Sequence, residues 1–304
     1  MRIYSKACKS YAEGSFKDHD QKGCVALLNE ISAPSIIPQD YHVHSHFSCD
    51  ADSSMETMCL AAIKTGISEL GFSDHFDLHP QEPFRDYLDL DSWWISLRAC
   101  QEKFAGELII RAGVEVGEPH RFPERVEALL KEHPWDFVLG SLHWVADICV
   151  FDHAFFKKDE RATYLHYFAE LERMVTRGEF DILAHFDVVK RYGFERYGEF
   201  QPEQYEESIR RILRRLAERE LALELNTATL RRSILEPSPD ATILAWFLEE
   251  GGRWITLGSD AHTPQDIGFG LASMKSLVLQ TGYDGLARYE LRQHSIVDLG
   301  RHDK

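Results

Sequence analysis

From residue 39 onward the chain alternates short β-favouring runs with longer helical stretches, and this alternation limits its possible folds more than any other feature. Strands separated by helices pair in parallel, because each helix carries the chain back across the sheet. The seven predicted strands are QDYHVH, ISELGFSD, ELIIRAGV, WDFVLGSL, FDILA, LALEL and RWITLGS. The pattern therefore predicts an α/β fold with a mainly parallel sheet, of the size typical of one α/β barrel.

The first βαβ unit has the clearest helix signals. In the segment SSMETMCLAAIKTG, Ser53 and Glu56 have the spacing of a capping box, and Gly66 stands where a helix would end. We therefore predict a helix between the first two strands that begins after Ser53 and ends at Gly66.

Composition excludes several classes of function. The chain has 304 residues, and its 50 acidic and 34 basic side chains give a net charge of −16, which argues against a nucleic acid partner. Its six cysteines lack C-x-x-C spacing, so neither a disulfide framework nor a thiolate zinc site is indicated. The apolar run CVALL is too short for a signal peptide or a membrane span. We expect a cytoplasmic protein without a membrane partner, and nothing in the composition bears on its oligomeric state.

The chain divides into two regions of different pattern. Residues 1–38 have weak periodicity and end in Pro and Ser residues, which is typical of a segment that precedes a domain. We predict an N-terminal extension over residues 1–38 and a single catalytic domain over residues 39–304.

Metal-binding side chains follow the predicted strands. In chain order these polar residues are His42, His44, Asp74, His75, Glu115, His143, His185, Asn226, Asp260 and His262. The carboxyl ends of all strands in an α/β barrel meet on one face, so residues distant in sequence would meet there. Residues two apart on a strand point the same way, so His42 and His44 can bind one ion together. The pattern predicts a metal site on this face.

Several motifs together resemble those of a known family. HVHSHFS, GFSDH, GSLHW, DILAHFDVVKRYG, ELNTATLRR and GSDAH occur in this order, as in the polymerase and histidinol phosphatase (PHP) superfamily. Among the branches of that superfamily, the motifs are most similar to those of the monofunctional histidinol-phosphate phosphatases. The resemblance spans residues 39 to 295. It implies a distorted seven-stranded (β/α)7 barrel with a trinuclear metal centre at the carboxyl face of the strands.

The resemblance also implies a ligand set for two to three divalent ions, which would be Zn, Mn, Fe or Co. The implied sets are His42, His44, Glu115 and Asp260 for the first ion, Glu115, His143 and His185 for the second, and Asp50, His75 and His262 for the third. Many relatives have a histidine where this chain has Asp50, so the third site gains an oxygen ligand that alters its metal preference. Asp52 is a nearby alternative for this role.

The expected chemistry is attack on phosphorus by a hydroxide that bridges two ions, since bound metals lower the pKa of water. Lys190, Arg191 and Arg231 follow strands and are candidates to bind the phosphate oxygens. We expect Asn226 to orient the substrate or water, and Asp74 to orient a ligating histidine.

The function implied by the resemblance is hydrolysis of L-histidinol phosphate to L-histidinol and phosphate, a step of histidine biosynthesis. One alternative is a PHP phosphoesterase acting on another small phosphomonoester, or an exonuclease, although the acidic balance disfavours DNA. A second alternative is a metal-dependent amidohydrolase, because such barrels also open with H-x-H and close with Asp. That class would need a carbamylated lysine or an equivalent bridge where this chain has Glu115.

Overall fold

A computed structural model of the chain describes residues 37–300, so the predicted extension lies almost wholly outside the described residues. The strands are β1 (Asp40–Val43), β2 (Glu69–Phe72), β3 (His75–Phe76), β4 (Ile109–Gly117), β5 (Phe137–Ser141), β6 (Trp144–Val145), β7 (Ile148–Cys149), β8 (Ile182–Leu183), β9 (Ala222–Asn226), β10 (Ile255–Gly258), β11 (Gly285–Glu290) and β12 (Gln293–Asp298). The α-helices are α1 (Met55–Thr65), α2 (Leu90–Lys103), α3 (Pro123–Glu132), α4 (Glu160–Arg177), α5 (Val189–Tyr197), α6 (Glu206–Glu218), α7 (Ala241–Glu249) and α8 (Leu271–Thr281). Three short 3-10 helices span Phe155–Lys157, Pro202–Tyr205 and Ala228–Arg231.

Seven parallel strands form a nearly closed barrel in the order β1, β2, β4, β5, β8, β9 and β10, and the short β3 also pairs with β4. The residues after β10 return to β1, where His44 N donates to Ala261 O at 2.9 Å and Ala261 N donates to His42 O at 3.2 Å. The predicted distorted (β/α)7 barrel is confirmed, and each of the seven predicted strands overlaps one barrel strand.

The ends of α1 test the predicted helix signals. Gly66 has φ 83° and donates its backbone N–H to the last turn, as predicted for a glycine that ends a helix. The predicted start was wrong by one residue, because the side chain of Ser54, rather than Ser53, accepts from Thr57 N. Both serines suit this position, and the capping-box spacing selected the wrong one.

The interior of the barrel is apolar towards the amino ends of its strands. The rings of Tyr41 and Phe137 stack with centroids 4.8 Å apart, and Leu139, Ile182 and Ala222 belong to the same buried cluster. The helices cover the outside of the barrel and bury apolar faces such as that of Ile209, Ile212, Leu213 and Leu216 on α6. Within residues 37–300, none of the helices is both long enough and apolar enough to cross a bilayer.

An antiparallel hairpin of β11 and β12, which the sequence analysis did not predict, covers the amino end of the barrel. Tyr289 is buried in the interior cluster, and its hydroxyl donates to Asp181 O at 3.1 Å. Arg292 binds both carboxylate oxygens of Asp181 at 2.9 Å, and Leu291 N donates to Asp136 at 3.1 Å. Because Asp136 and Asp181 directly precede β5 and β8, the hairpin is joined to the start of the parallel sheet.

Candidate metal centre

Seven of the nine predicted ligand residues line a cavity of about 480 Å³ at the carboxyl ends of the barrel strands, and His42 and His44 lie next to two of these seven, Glu115 and Asp260. His42 and His44 lie at the end of β1, Glu115 is in β4, and His75 is in the short β3 beside it. The remaining ligand candidates lie in the loops that follow β1, β5, β8 and β10, and they are Asp50, His143, His185, Asp260 and His262. The fold therefore brings together residues that are more than 200 positions apart in the sequence.

Glu115 occupies the middle of this group. Its Oε2 lies 3.2 Å from His42 Nε2 and 3.4 Å from His44 Nε2. Asp260 Oδ1 lies 3.7 Å and 3.4 Å from the same two nitrogens. One side of Glu115 thus faces the donor set expected for a first ion.

The other carboxylate oxygen of Glu115 faces a second pair of histidines. Glu115 Oε1 lies 2.9 Å from His185 Nε2 and 3.4 Å from His143 Nε2. Ser141 Oγ donates to the same oxygen and fixes the orientation of the carboxylate. Glu115 therefore has the position of a group that could bridge two ions.

A third group of donors lies nearer the cavity mouth. Asp50 Oδ2 is 3.0 Å from His262 Nε2 and 3.7 Å from His75 Nε2, and Asp52 also lines the cavity. These ion-pair distances join Asp50 to both histidines, as predicted for the third ligand set.

The distances between the donor atoms suit a shared cation better than hydrogen bonds between the donors. Although His42 Nε2, His44 Nε2 and Glu115 Oε2 are buried and close together, none of these atoms makes a hydrogen bond. Ligands held about 2.1 Å from one ion are about 3.0 to 3.4 Å apart, and most of the distances between these donors lie in this range. Buried polar atoms without hydrogen bonds are costly unless an ion or a water satisfies them. The residues thus match the chemistry of a site for divalent metals.

Most of the histidines are held by the ring nitrogen that faces away from the cluster. His42 Nδ1 lies 2.7 Å from Glu224, and His143 Nδ1 lies 3.3 Å from Asp77. A carboxylate at one ring nitrogen fixes the ring and leaves the other nitrogen free to bind a metal. His42 and His143 therefore each present Nε2 to Glu115.

Asp74 was predicted to orient a ligating histidine. The structure connects it to His44 rather than to its sequence neighbour His75. Asp74 accepts from Ser48 Oγ at 2.8 Å, and Ser48 in turn lies 3.0 Å from His44 Nδ1. Asp74 also accepts from Ser45 N and from the indole of Trp93. The carboxylate thus reaches the ring of His44 through Ser48.

Sequence analysis missed Glu224 and Asp77. Glu224 is a charged residue inside the apolar run LALEL, and it also accepts from His185 N at 2.7 Å. Gly258 is required beside it, because a Cβ at this position would lie 2.0 Å from Glu224 Oε1 and 2.6 Å from His42 Cβ. Asp77 lies just past the end of β3 and follows His75 by two residues, the same spacing as in the H-x-H pair. A charged residue within an apolar run and a carboxylate two residues after a histidine were therefore both visible in the sequence.

The charges at the cluster suit metal binding. Burial alone would raise the pKa of Glu115, but His42 and His75 hold the pKa of this carboxyl well below its usual range. Burial, together with the nearby His262 and His75, lowers the pKa of His44 to about 4. Burial would also lower the pKa of His42, but Glu224 and Glu115 raise it well above its usual value. The carboxylates thus attract protons to the histidines, and a divalent ion would displace these protons when it binds.

Three arginines line the cavity beside the cluster. The guanidinium of Arg231 donates to Ser259 O at 2.8 Å and to Asp260 O at 3.0 Å, so it is held directly beside one candidate ligand. Arg191 also lines the cavity and lies over the ring of Tyr192. Arg232, which the sequence analysis did not select, is the third.

The structure does not bring two of the predicted substrate-binding residues to this cavity. Lys190 is fully buried, where its ammonium pairs with Asp187 at 2.8 Å and donates to Pro237 O at 2.8 Å. Asn226 is also buried, and its side chain donates to Glu224 at 3.2 Å and accepts from Ala228 N at 2.9 Å. Both side chains therefore make contacts with the protein itself.

Comparison with known proteins places the chain in a family. The PHP domain matches residues 40–228. Histidinol-phosphatase of Lactococcus lactis is 30% identical over 82% of this chain and 93% of its own length, and probable histidinol-phosphatase of Deinococcus radiodurans is 31% identical over 80% and 93%. A crystal structure of histidinol phosphate phosphatase from Lactococcus lactis, in complex with zinc, L-histidinol and phosphate, covers 86% of this chain and 100% of that chain at 29% identity, with a TM-score of 0.79. This chain belongs to the PHP domain family.

Proposed function

We propose that this protein is a metal-dependent phosphatase that hydrolyses L-histidinol phosphate to L-histidinol and inorganic phosphate. The observation that carries the proposal is the convergence of unpaired metal-binding atoms on Glu115, in a cavity that also holds three arginines. The names of the relatives, and the histidinol and phosphate bound in the Lactococcus structure, support this substrate. Its place in amino-acid biosynthesis and the lack of disulfides among the described cysteines favour the cytoplasm.

We assign two to three divalent ions to the centre, and zinc is one candidate because the Lactococcus structure binds it. The proposed ligands are His42, His44, Glu115 and Asp260 for the first ion, Glu115, His143 and His185 for the second, and Asp50, His75 and His262 for the third. When bound, such ions lower the pKa of water to supply a hydroxide and neutralise the oxygens of a phosphate.

The arginines and carboxylates of this chain have separate roles in the proposal. Arg231 has five N–H donors, of which two are used by backbone carbonyls, and its Nε lies 3.4 Å from Asp266; the other N–H groups are available to a phosphate in the cavity. Arg191 and Arg232 add positive charge on the same cavity and would neutralise the phosphate oxygens while the bond from phosphorus to the departing alcohol breaks. Glu224 holds the ring of His42 in place, and Asp77 holds the ring of His143.

A turnover screen on protein with a counted metal content tests the proposal. We expect two to three divalent ions per chain by elemental analysis, loss of activity on chelation, and recovery when Zn, Mn, Fe or Co is added. L-Histidinol phosphate should exceed p-nitrophenyl phosphate in kcat/KM by at least about a hundredfold, or roughly 2.7 kcal/mol. Full activity without metal would contradict the metal centre. Comparable rates on many phosphomonoesters would indicate a general phosphatase, and degradation of single-stranded DNA would indicate an exonuclease.

A further inference from the structure

A second cavity, of about 140 Å³, opens beside the metal centre. It shares Asp50, His75, His143 and Phe151 with the large cavity, so the two spaces meet at the candidate ligands. We call this space the side cavity; beyond the shared wall its main lining groups are Asp77, Glu82, Phe84 and Trp144. A small molecule whose phosphate lay at the metals could therefore extend into it.

The walls of the side cavity are fixed by contacts behind them. The ring of His79 stacks on Trp144 with centroids 4.3 Å apart and planes at 4°. His79 Nε2 donates to Ala146 O at 3.1 Å, and His79 Nδ1 accepts from Gln81 N at 3.2 Å, so both ring nitrogens are satisfied. Glu82 accepts from Phe84 N at 3.2 Å and from the indole of Trp144 at 3.4 Å, and each carboxylate oxygen can still accept one more hydrogen bond. The aromatic and acidic walls are therefore already positioned before a ligand binds.

The two cavities differ in charge. The large cavity combines five carboxylates, three of them candidate metal ligands, with Arg191, Arg231 and Arg232, which favour a phosphate. Among the described residues that line the side cavity there are three carboxylates and neither lysine nor arginine. Aromatic faces and carboxylates together favour a planar cation, through cation-π contact and charge-assisted hydrogen bonds. A zwitterionic phosphomonoester would thus be drawn with its two charged ends towards different cavities.

We propose that the side cavity binds the nitrogen-bearing ring of the substrate, with Glu82 as its carboxylate partner and with Trp144 and Phe84 as its aromatic walls. This inference rests on the proposed function, and it adds residues that set substrate specificity. The volume corresponds to about five water molecules at about 30 Å³ each, which suits a five-membered ring and excludes a nucleotide strand.

The test compares two substrates and one ligand on the metal-loaded full chain. Glu82→Gln keeps the shape of the side chain and removes its charge, and Glu102→Gln, on the exposed face of α2, is the matched control. Steady-state kinetics are measured with L-histidinol phosphate and with p-nitrophenyl phosphate, which has no cationic ring. The affinity for L-histidinol is measured by calorimetry, and the metal content of each variant by elemental analysis.

We expect Glu82→Gln to raise KM for L-histidinol phosphate and the Kd of L-histidinol about tenfold each, and to change kcat/KM for p-nitrophenyl phosphate less than twofold, with full metal content. Glu102→Gln should change none of these. Equal losses on both substrates, or an unchanged Kd for L-histidinol, would overturn the side-cavity assignment even if the wild type hydrolyses L-histidinol phosphate. A wild type that binds L-histidinol through Glu82 but does not hydrolyse its phosphate would contradict the proposed function alone.

Discussion

The two ends of the barrel both bury charged side chains, but they satisfy them differently. At the amino end, Asp181 accepts from Val138 N at 2.9 Å and pairs with Arg292, and Glu69 accepts from Tyr41 at 2.6 Å and from Arg111 at 2.6 Å. At the carboxyl end, the Nε2 atoms of His42 and His44 face Glu115 without making hydrogen bonds. At the amino end, the chain itself supplies partners for these buried charges. The carboxyl end has the geometry of a site in which a bound cation would be the missing partner.

This difference separates residues that stabilise the fold from residues that do chemistry. A buried carboxylate with fixed donors adds to the stability of the folded state, and removing one partner leaves an uncompensated charge. A buried group of donors without partners adds little to stability before the ion binds. Substitutions at the two ends should therefore affect different measurements.

The largest expected effect is that of Glu115→Gln. Since Glu115 contacts the donors of two proposed ions, its replacement should lower kcat at least about a thousandfold, or roughly 4 kcal/mol in barrier. Elemental analysis should show fewer bound ions. A loss of kcat below about tenfold, or an unchanged metal content, would be too small an effect for a bridging ligand.

Next in size is Arg292→Ala at the amino end. It leaves Asp181 buried without its ion-pair partner, so we expect the free energy of unfolding in urea to fall by about 3 kcal/mol, with kcat/KM changed less than twofold. The control is Arg215→Ala, which removes an exposed pair with Glu218 and should cost less than about 1 kcal/mol. Equal losses of stability in the two variants would mean that the hairpin does not depend on this pair.

A smaller effect is expected for Arg231→Ala, in the large cavity. Loss of the guanidinium should lower kcat/KM about thirtyfold, or roughly 2 kcal/mol, and weaken inhibition by inorganic phosphate. Arg231→Lys should recover only part of this activity, because an ammonium lacks the planar fork of donors. If phosphate inhibited the alanine variant as strongly as the wild type, Arg231 would not contact the phosphate.

The smallest of these effects should follow from Glu224→Gln, which keeps the shape behind His42 but removes the charge. We expect the affinity for the first ion to fall about tenfold, measured by competition with a chelator. Gly258→Ala should have a similar effect by another route, because the added Cβ would displace Glu224. Unchanged metal affinity in both variants would show that His42 does not need this support.

The sequence predicted the barrel and the grouping of the ligand residues because both follow from local rules. Short β-favouring runs separated by helices leave few alternatives to a parallel sheet, and the polar residues directly after these runs must share one face. The position of Asp50 came from the family resemblance, since its place in a loop gives no periodic signal.

Other features depend on contacts that no local rule predicts. The turn of the β11–β12 hairpin has Leu291 at φ 49° and Arg292 at φ 61°, where Asn and Gly are the usual residues, so the usual hairpin signal is missing. Lys190 and Asn226 follow strands as ligands do, but their side chains bind neighbouring loops. Position along the chain could not distinguish a side chain that enters the cavity from one beside it.

The junction between β1 and the residues after β10 has a consequence for the order of folding. His42 and Asp260 meet there, and the backbone bonds of Ala261 close the barrel between them. A contact between residues so far apart requires a long loop to close, which is slow and late in folding. A nascent chain in which residue 260 has not yet been synthesised lacks one proposed ligand of the first ion, whichever metal is present. We therefore expect high-affinity metal uptake only after synthesis has passed this residue, so that the ion is acquired by a nearly finished barrel.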